Sequence, residues 1–532
     1  VPARIAQFIV LFIAALFCGC GRSPDRAEIV VINGAEPGTL DPGKISGQPE
    51  GRVANCLFEG LTRYNIDGES EPGMAERWEI SPDGRTYTFH LRGAKWSNGD
   101  VVTAQDFVWS WLRVLKEADA EYRYQMFYLR GAEEFAKQLD AQGKPDEKTI
   151  GIHAKDDRTL VVELKNPTPY FIDLCAFYTF FPLHRPSIEA AEKAGEQWLR
   201  PGRLVGNGAF VMKEWRLNDR IRLDRNPAYW DVENVRVANL DILPVNNPNT
   251  AFNFYHSGVA DLMLDKSLVP SSLVSELKKR PDYHATPVLA TYFMRFNVTK
   301  KPFDDARVRR AISMVVDKTL LTEKITQAGE VPANAFVPPG TAGYVGPAGL
   351  KRDLDAARKL LAEAGYPGGK GFPLVRYLYT NRADVDDKIA VELQAVLQKE
   401  LGISIGLSKQ EWSVYQGSLA SLDYDFARSS WVGDYKDPNT FLDMWVTGGG
   451  NNQTGWGNKQ YDDLIAKAGA EPAQERRFDF FRQAESIVLE EAAICPLFNY
   501  VVIMFYDGER LGGVRGNLTD EHPFRLLHWK KP

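Results

Sequence analysis

At 532 residues the chain is longer than one hydrophobic core supports, since single cores stop growing at about 250–300 residues, so two or three packed lobes are expected. Hydrophobic residues at 44% and charged residues at 25% describe an ordinary soluble globular protein. A formal net charge of −6 argues against a nucleic-acid partner. Beyond the N-terminus there is no apolar run of the ~18 residues a membrane helix needs.

Arg4 supplies a positive n-region, and Ile5–Phe17 is apolar except for Gln7, the length of a signal-peptide core rather than of a membrane helix. It runs into Phe17-Cys-Gly-Cys20, which resembles the lipobox of bacterial lipoproteins. That resemblance implies a signal peptide over 1–19, lipid on Cys20 and a polar tether over 20–28, with a plain secretory cleavage site as the alternative. Cys56, Cys175 and Cys495 then remain, without C-x-x-C spacing or a nearby His, so no metal site is expected. An exported protein permits one disulfide among them; small buried hydrophobes are the other reading.

Glu28-Ile-Val-Val-Ile-Asn33 reads as a short buried strand, and Pro37-Gly38, Asp41-Pro42-Gly43 and Gly47 predict an irregular segment after it. Trp78–Ile80 and Thr86–Leu91 flank Ser81-Pro-Asp-Gly84, a turn between two strands. Thr103-Ala-Gln-Asp106 opens a helix with a capping-box pattern, and Phe107, Trp111, Val114 and Leu115 form its apolar stripe. Asn207–Met212 and Ile221–Asp224 are strand-like again. Within Thr291–Val298 a period of two sends Phe293 and Arg295 to one face and Tyr292, Met294 and Phe296 to the other. Three helices follow. Asp304/Asp305 caps the first, which bears Val308, Ile312 and Val315; Asp353 caps the second, which Gly365 stops; the third runs from about Asp387 to Glu400 with Gly402 beyond it. Interleaved strands and helices predict mixed α/β lobes.

Catalytic signatures are missing: there is no G-x-S-x-G, H-E-x-x-H or G-x-x-x-x-G-K-[ST], and the seven His residues show no metal-ligand spacing. Gly448-Gly-Gly-Asn-Asn lacks the Lys and preceding strand of a phosphate loop and reads as a connector. The carboxylate pairs Asp304/Asp305 and Asp462/Asp463 sit where helix N-caps are wanted.

What is specific is a series of blocks. Glu36-Pro-Gly-Thr-Leu-Asp-Pro42, Leu57-Phe-Glu-Gly-Leu61 and Pro72-Gly-Met-Ala-Glu-Arg-Trp78 open it. Ser81–Arg92 and Lys95–Phe107 follow, then Asn226-Pro-Ala-Tyr-Trp230, Phe303–Ile312 and Trp431-Val-Gly-Asp-Tyr-Lys-Asp-Pro438. Together they resemble the oligopeptide-binding proteins of bacterial peptide ABC importers, solute-binding family 5, from about Ile29 to the C-terminus. The resemblance implies a three-lobed α/β fold of the periplasmic-binding-protein kind, a two-lobe hinged cleft with an inserted extra lobe. Lobe I would be discontinuous (29–58, 182–289 and 501–532), lobe II inserted (59–181), and lobe III (290–500) would close over the ligand. It further implies a monomeric binding protein, not an enzyme, without cofactor or metal. Its partners would be a peptide and membrane permeases, and its location periplasmic or cell-surface on a lipid anchor.

In such proteins an extended peptide pairs through its main chain between two strands, and its α-ammonium meets an Asp. Carried onto this chain, that residue is Asp434, a plain turn residue on the alternative reading. The upper pairing strand is Ser430-Trp431-Val432 and the lower Ser46-Gly47-Gln48. Trp412, Trp431, Tyr122 and Tyr500 fall on aromatic or cleft-lining positions, with core packing the alternative for each, and Arg428 on a cleft residue. The chain also departs from its relatives. Ser46 replaces a Glu, the cations that meet the peptide's carboxyl end fall on Thr326, Leu419 and Asp386 or Asp387, and a disulfide falls on Ala290 and Val432. Arg295 replaces an acid. With Arg428 it predicts two guanidiniums converging on a carboxylate, hence short or acidic peptides; the alternative pairs Arg295 with a protein acid. The same blocks also fit a murein-peptide, nickel or haem receptor, or a peptide sensor without a transport role.

Overall fold

The computed structural model describes residues 25–531 except 46, 119, 271 and 381–383, so the signal segment, Cys20 and Ser46 lie outside the described residues. Ile29–Ile32 (β1) is buried along its whole length, as a strand covered on both faces must be. Gln48–Leu57 (α1) follows, with Pro49 in its first turn. Ala75–Ile80 (β2), Thr86–Leu91 (β3), Ile152–Asp156 (β4) and Thr159–Glu163 (β5) then form an antiparallel sheet in the order β2-β3-β5-β4. Tyr87, Phe89 and Leu91 of β3 share a core with Phe107, Trp111, Val114 and Leu115 of Ala104–Lys116 (α2). The capping box forms there: the Thr103 N–H donates to Asp106 Oδ2 at 2.8 Å.

Two small two-stranded pairs, Thr62–Tyr64 with Ser70–Pro72 and Leu511–Gly512 with His528–Trp529, stand apart, and the other strands join β1 in one eleven-stranded sheet. They are Phe210–Arg216 (β6), Arg220–Arg225 (β7), Asn239–Leu243 (β8), Leu262–Leu264 (β9), Tyr283–Phe296 (β10), Val375–Thr380 (β11), Ile405–Gln410 (β12), Phe426–Val432 (β13) and Ile494–Tyr506 (β14). The order is β12-β11-β13-β10-β14-β9-β1-β8-β7-β6, with Val331–Pro332 also on β14. Tyr292, Met294 and Phe296 bury with Val308, Ile312 and Val315 of Ala306–Val315 (α3), whereas Phe293 buries beside Trp445 in another core, as the alternation requires. Asp305 caps α3 through the Arg307 N–H at 2.8 Å, and Asp353 caps Leu354–Glu363 (α4) through the Ala356 N–H at 3.0 Å. Asp384–Leu401 (α5) begins earlier than its sequence signals indicate. Gly365 and Gly402 end α4 and α5 at φ +98° and +69°, where other residues are strained. Asp462 and Asp463 are not caps: Asn458 caps Lys459–Ala470, and both acids lie inside that helix.

Two strands create the site. β10 and β14, at 14 and 13 residues, run through both halves of the large sheet. Tyr283–Pro287 pairs with Val501–Phe505, the register breaks, and pairing resumes between Thr291 and Asn499. Such a break bends a strand and adds twist. Within it the Leu289 N–H donates to Leu518 O at 2.7 Å, and Leu289 O accepts from the Gly433 N–H at 2.7 Å. Cys56, Cys175 and Cys495 are buried and free. Among the described residues no helix is long and apolar enough to cross a membrane.

Candidate ligand-binding cleft

Two joined cavities open at the register break. The larger, about 660 Å³, is walled in part by Tyr292, Asp386, Arg428, Ser430 and Tyr500. The smaller, about 170 Å³, is walled in part by Tyr122, Tyr178, Asp434 and Lys436. Gln48, Val432, Gly433, Thr519 and Asp520 border both.

β13 runs along this cleft. One edge pairs with β10 over Phe426–Val432, but on the other β11 reaches only Phe426 and Ala427. Among the described residues, no strand covers the edge from Arg428 to Val432. Since the Gly433 N–H bonds to Leu289 O, the alternation of an antiparallel ladder can be counted back from it. Trp431 and Ser429 turn their backbone groups to β10, while Val432, Ser430 and Arg428 turn theirs to the open edge. The Tyr415 hydroxyl already donates to Arg428 O, which leaves Val432 and Ser430 for an added strand. A row of unpaired N–H and C=O groups is the template on which strand addition works.

Asp434 stands just beyond the open edge. Its N–H donates to Thr440 Oγ1 at 3.1 Å and its Oδ2 accepts from the Tyr124 hydroxyl at 2.9 Å. Burial pushes its carboxyl up to about 6, against the pull of the Tyr124 hydrogen bond. Its loop is pinned on the far side. Tyr435 is 6% exposed, stacks on Tyr170 at 4.1 Å and meets the Tyr128 hydroxyl at 2.9 Å. Asp437 is clasped by Arg477 at 2.6 and 2.7 Å, and Lys436 pairs with Glu69. Among the described residues no cation pairs with this half-buried anion, which an ammonium group would stabilise.

Asp434, Val432, Ser430, Arg428, Tyr122, Gln48 and Tyr500 therefore gather around the cleft. Other expectations fail. Gly47 is the N-cap of α1 and Gln48 its first residue, so the expected lower strand is a helix start there, which Pro49 favours; Ser46 lies outside the described residues. The Trp431 side chain points away from the cleft by the period of two, and its Nε1 donates to Thr440 O at 2.6 Å. Trp412 stacks on Tyr415 at 5.6 Å, off the cavity walls. Arg295 does not meet Arg428: the register sets Met294 opposite Arg428, which puts the two guanidiniums on opposite faces of the sheet. Arg295 is 4% exposed, donates to Gln453 Oε1 at 2.9 Å and lies 5.9 Å from the Trp445 ring centroid. No protein acid pairs with it among the described residues, and burial pulls its proton affinity below the usual arginine range. The two guanidiniums therefore do not converge as expected.

Arg428 has its own partner. Its Nε lies 3.4 Å from Asp386 Oδ1, its Nη2 donates to the Tyr500 hydroxyl at 3.2 Å, and it sits 5.0 Å over Tyr292. Asp386 is further held by the Tyr292 hydroxyl at 3.0 Å and Thr380 Oγ1 at 3.1 Å. Thr326 donates to Glu330 at 2.6 Å, and Leu419 is buried with Tyr415 and Tyr424. Sequence reasoning missed Tyr124, Arg52, Lys266, Lys388 and Thr519. Their only common property is long-range packing around the break, for which no local signal exists. Among the described residues no group of three or more His, Cys, Asp or Glu side chains is placed to hold a metal ion.

The family model for bacterial extracellular solute-binding proteins, family 5 middle region, matches residues 69–453. The oligopeptide-binding protein OppA of Bacillus subtilis is 36% identical over 510 residues, covering 93% of this chain and 91% of that protein. The structure of the Escherichia coli murein tripeptide binding protein MppA superposes with a TM-score of 0.79 at 34% identity, covering 95% of this chain and 99% of that one. That of Haemophilus influenzae OppA in complex with RPPGFSPFR gives 0.76 at 32% identity, covering 96% and 100%. The first two of these are named as binding proteins. With the family model spanning most of the chain, and with more than a third of the aligned residues shared with a relative along nearly its whole length, the chain belongs to the bacterial extracellular solute-binding proteins of family 5.

Proposed function

We propose that this chain captures an extended peptide as the exported, lipid-anchored binding component of a peptide ABC import system. The carrying observation is the open edge of β13 that ends at Asp434. Backbone groups of Val432 and Ser430 offer sequence-blind pairing, and the carboxylate sets the register by taking a free ammonium. The names of the oligopeptide-binding relatives support the ligand class. In this reading lobe I (29–58, 182–289, 501–532) and the inserted lobe II (59–181) form the base of the cleft and lobe III (290–500) its cover. The protein acts as a monomer that delivers ligand to membrane permeases, with Cys20 as the lipid anchor. A murein-type peptide is the second reading, favoured by the likeness to the E. coli murein tripeptide binding protein. Mass spectrometry of the solute released when protein purified from its native host is denatured tests both. Linear peptides support the first and peptides with cell-wall amino acids the second; recovery of a non-peptide solute alone overturns both.

A further inference from the structure

The segment ahead of β1, expected to be a loose polar tether, is docked on the fold from Asp25 onward. It crosses the outer, polar face of β6, β7 and β8. The period of two puts Glu214, Arg216, Arg220, Arg222 and Asp241 on that face, opposite the buried Ile221, Leu223, Leu240 and Ile242. Arg220 Nη2 donates to Asp25 Oδ2 at 2.8 Å, and Arg222 Nη2 donates to Asp25 O. The Ala27 N–H donates to Asp241 Oδ2 at 3.2 Å and the Glu28 N–H to Asn239 Oδ1 at 2.7 Å. The exposed Asp25 pair is weak on its own. Arg26 and its partner Asp261, however, are only 13% and 12% exposed, so the chain is fixed at the next residue in any case. Arg216 and Arg220, both near Asp25, flank the β6–β7 turn, where Leu217 is 64% exposed.

This placement limits how a lipid on Cys20 can hold the protein, and the inference rests on that lipid-anchor reading. Only residues 21–24 separate Cys20 from Asp25. A fully extended chain spans at most ~3.6 Å per residue, so the lipid-bearing residue can sit no farther than ~18 Å from Asp25, or ~22 Å from Arg26. Both reaches are short beside the roughly 40 Å between β6 and β11 across the large sheet, at ~4.8 Å per strand. We infer that the outer face of β6, β7 and β8, with its exposed turn at Leu217, is the surface that meets the bilayer, held there by the short leash. Charge is not the cause, because the arginines of this face are already paired: Arg216 with Glu214 and Asp219, Arg220 with Asp25 and Glu214, Arg222 with Asp241. A leash this short sets an effective concentration on the order of mM, at which even a weak contact with headgroups is populated. The membrane then holds one end of the sheet, and the cleft strand β14 stands three strands away from β8.

The test uses the full, lipidated protein in phosphatidylcholine vesicles that carry an energy acceptor on a fraction of their headgroups; neutral lipid removes charge as a cause. Cys56, Cys175 and Cys495 are buried, so a donor dye can be placed selectively on Leu217→Cys or, as the distant reference, on Leu374→Cys. Leu374 is 77% exposed and immediately precedes β11. Transfer to the membrane should be severalfold more efficient from position 217 than from 374, given the roughly 40 Å between the strands beside them. Inserting about forty Gly and Ser residues between Pro24 and Asp25 should abolish that contrast, since the leash no longer selects a face. Equal transfer from the two positions in membrane-bound protein overturns the inference and leaves the lipid anchor standing, as does a contrast that the insertion leaves intact. Protein that does not partition into the vesicles overturns the lipid-anchor reading and this inference with it.

Discussion

On the proposed reading, Asp434 would set how peptide binding responds to pH. With its carboxyl pushed up to about 6 by burial, the empty site is ionised above that pH and protonated below it. An ammonium ligand binds the ionised form, so affinity falls as pH drops through 6. At pH 5 about one carboxyl in eleven is still ionised, and apparent affinity should be about tenfold below its plateau. On the alkaline side the ligand's α-ammonium loses its proton at about 7.7–8.0, so affinity is highest between roughly pH 6 and 8. Stability responds in the opposite sense. A carboxyl raised on folding from 3.8 to about 6 costs nothing below about pH 4 and destabilises progressively as pH rises to about 6. The whole shift corresponds to about 3 kcal/mol, and the partial exposure of Asp434 reduces this to about 1–2 kcal/mol. Asp434→Asn should therefore stabilise the empty protein by about 1–2 kcal/mol at pH 7 while weakening free-ammonium peptides on the order of 10²-fold. N-acetylated peptides should bind wild type as poorly as they bind the variant. Calorimetry from pH 5 to 9 with both peptide forms, beside thermal melts of both empty proteins, measures each effect. An affinity flat from pH 5 to 7, or an Asn variant less stable than wild type at pH 7, refutes the reasoning.

Ser430→Pro removes an N–H that faces the open edge and not β10, so it should weaken peptides at least tenfold more than Ser430→Ala does, with the melting temperature nearly held; equal losses in the two variants would count against strand addition. Arg477→Ala strands the Asp437 carboxylate, whose side chain is 6% exposed, and should cost about 3–5 kcal/mol in denaturant unfolding; a loss under about 1 kcal/mol would show the clasp to be dispensable. In the native host the mature protein should begin at a lipid-modified Cys20 and partition into detergent, and Cys20→Ala should abolish both; unchanged processing of that variant ends the lipobox reading. Saturating peptide should reduce the radius of gyration in solution scattering and raise stability by about 2.7 kcal/mol at a hundredfold excess over Kd; binding without compaction argues against closure of the cleft.

What could be read from the sequence was whatever short-range physics decides. The capping box at Thr103, the Asp305 and Asp353 caps and the two-residue alternation of β10 are encoded within a few residues, and all form as read. Asp434 and the Ser430–Val432 edge were reached through resemblance. The local signal was silent on which edge of β13 stays open, because that depends on β11 ending its pairing at Ala427. Arg295 shows the limit most clearly. Its face was read correctly, but its distance from Arg428 depends on a register between strands more than a hundred residues apart, which no local pattern encodes. The extended form expected at Gly47-Gln48 differs for another reason: Pro49 suits a helix start as well as an extended segment. Lys388 is one of many lysines in the chain until the fold sets it in the cavity wall.

On the proposed reading, the anchoring of Tyr435 bears on what the cleft can and cannot notice. The loop that presents Asp434 is held by contacts with Tyr128, Tyr170 and Arg477 that need no ligand, so little ordering entropy would be lost at that end of the site on binding. Farther along, a ligand side chain meets the roomy, mostly apolar wall of the larger cavity, which ranks residues only weakly. On the proposed reading the protein would count from the amino end, tolerating exchanges of sequence but not a shift of one residue. A peptide whose first nitrogen has been acylated or cyclised should then go unrecognised, whatever follows it.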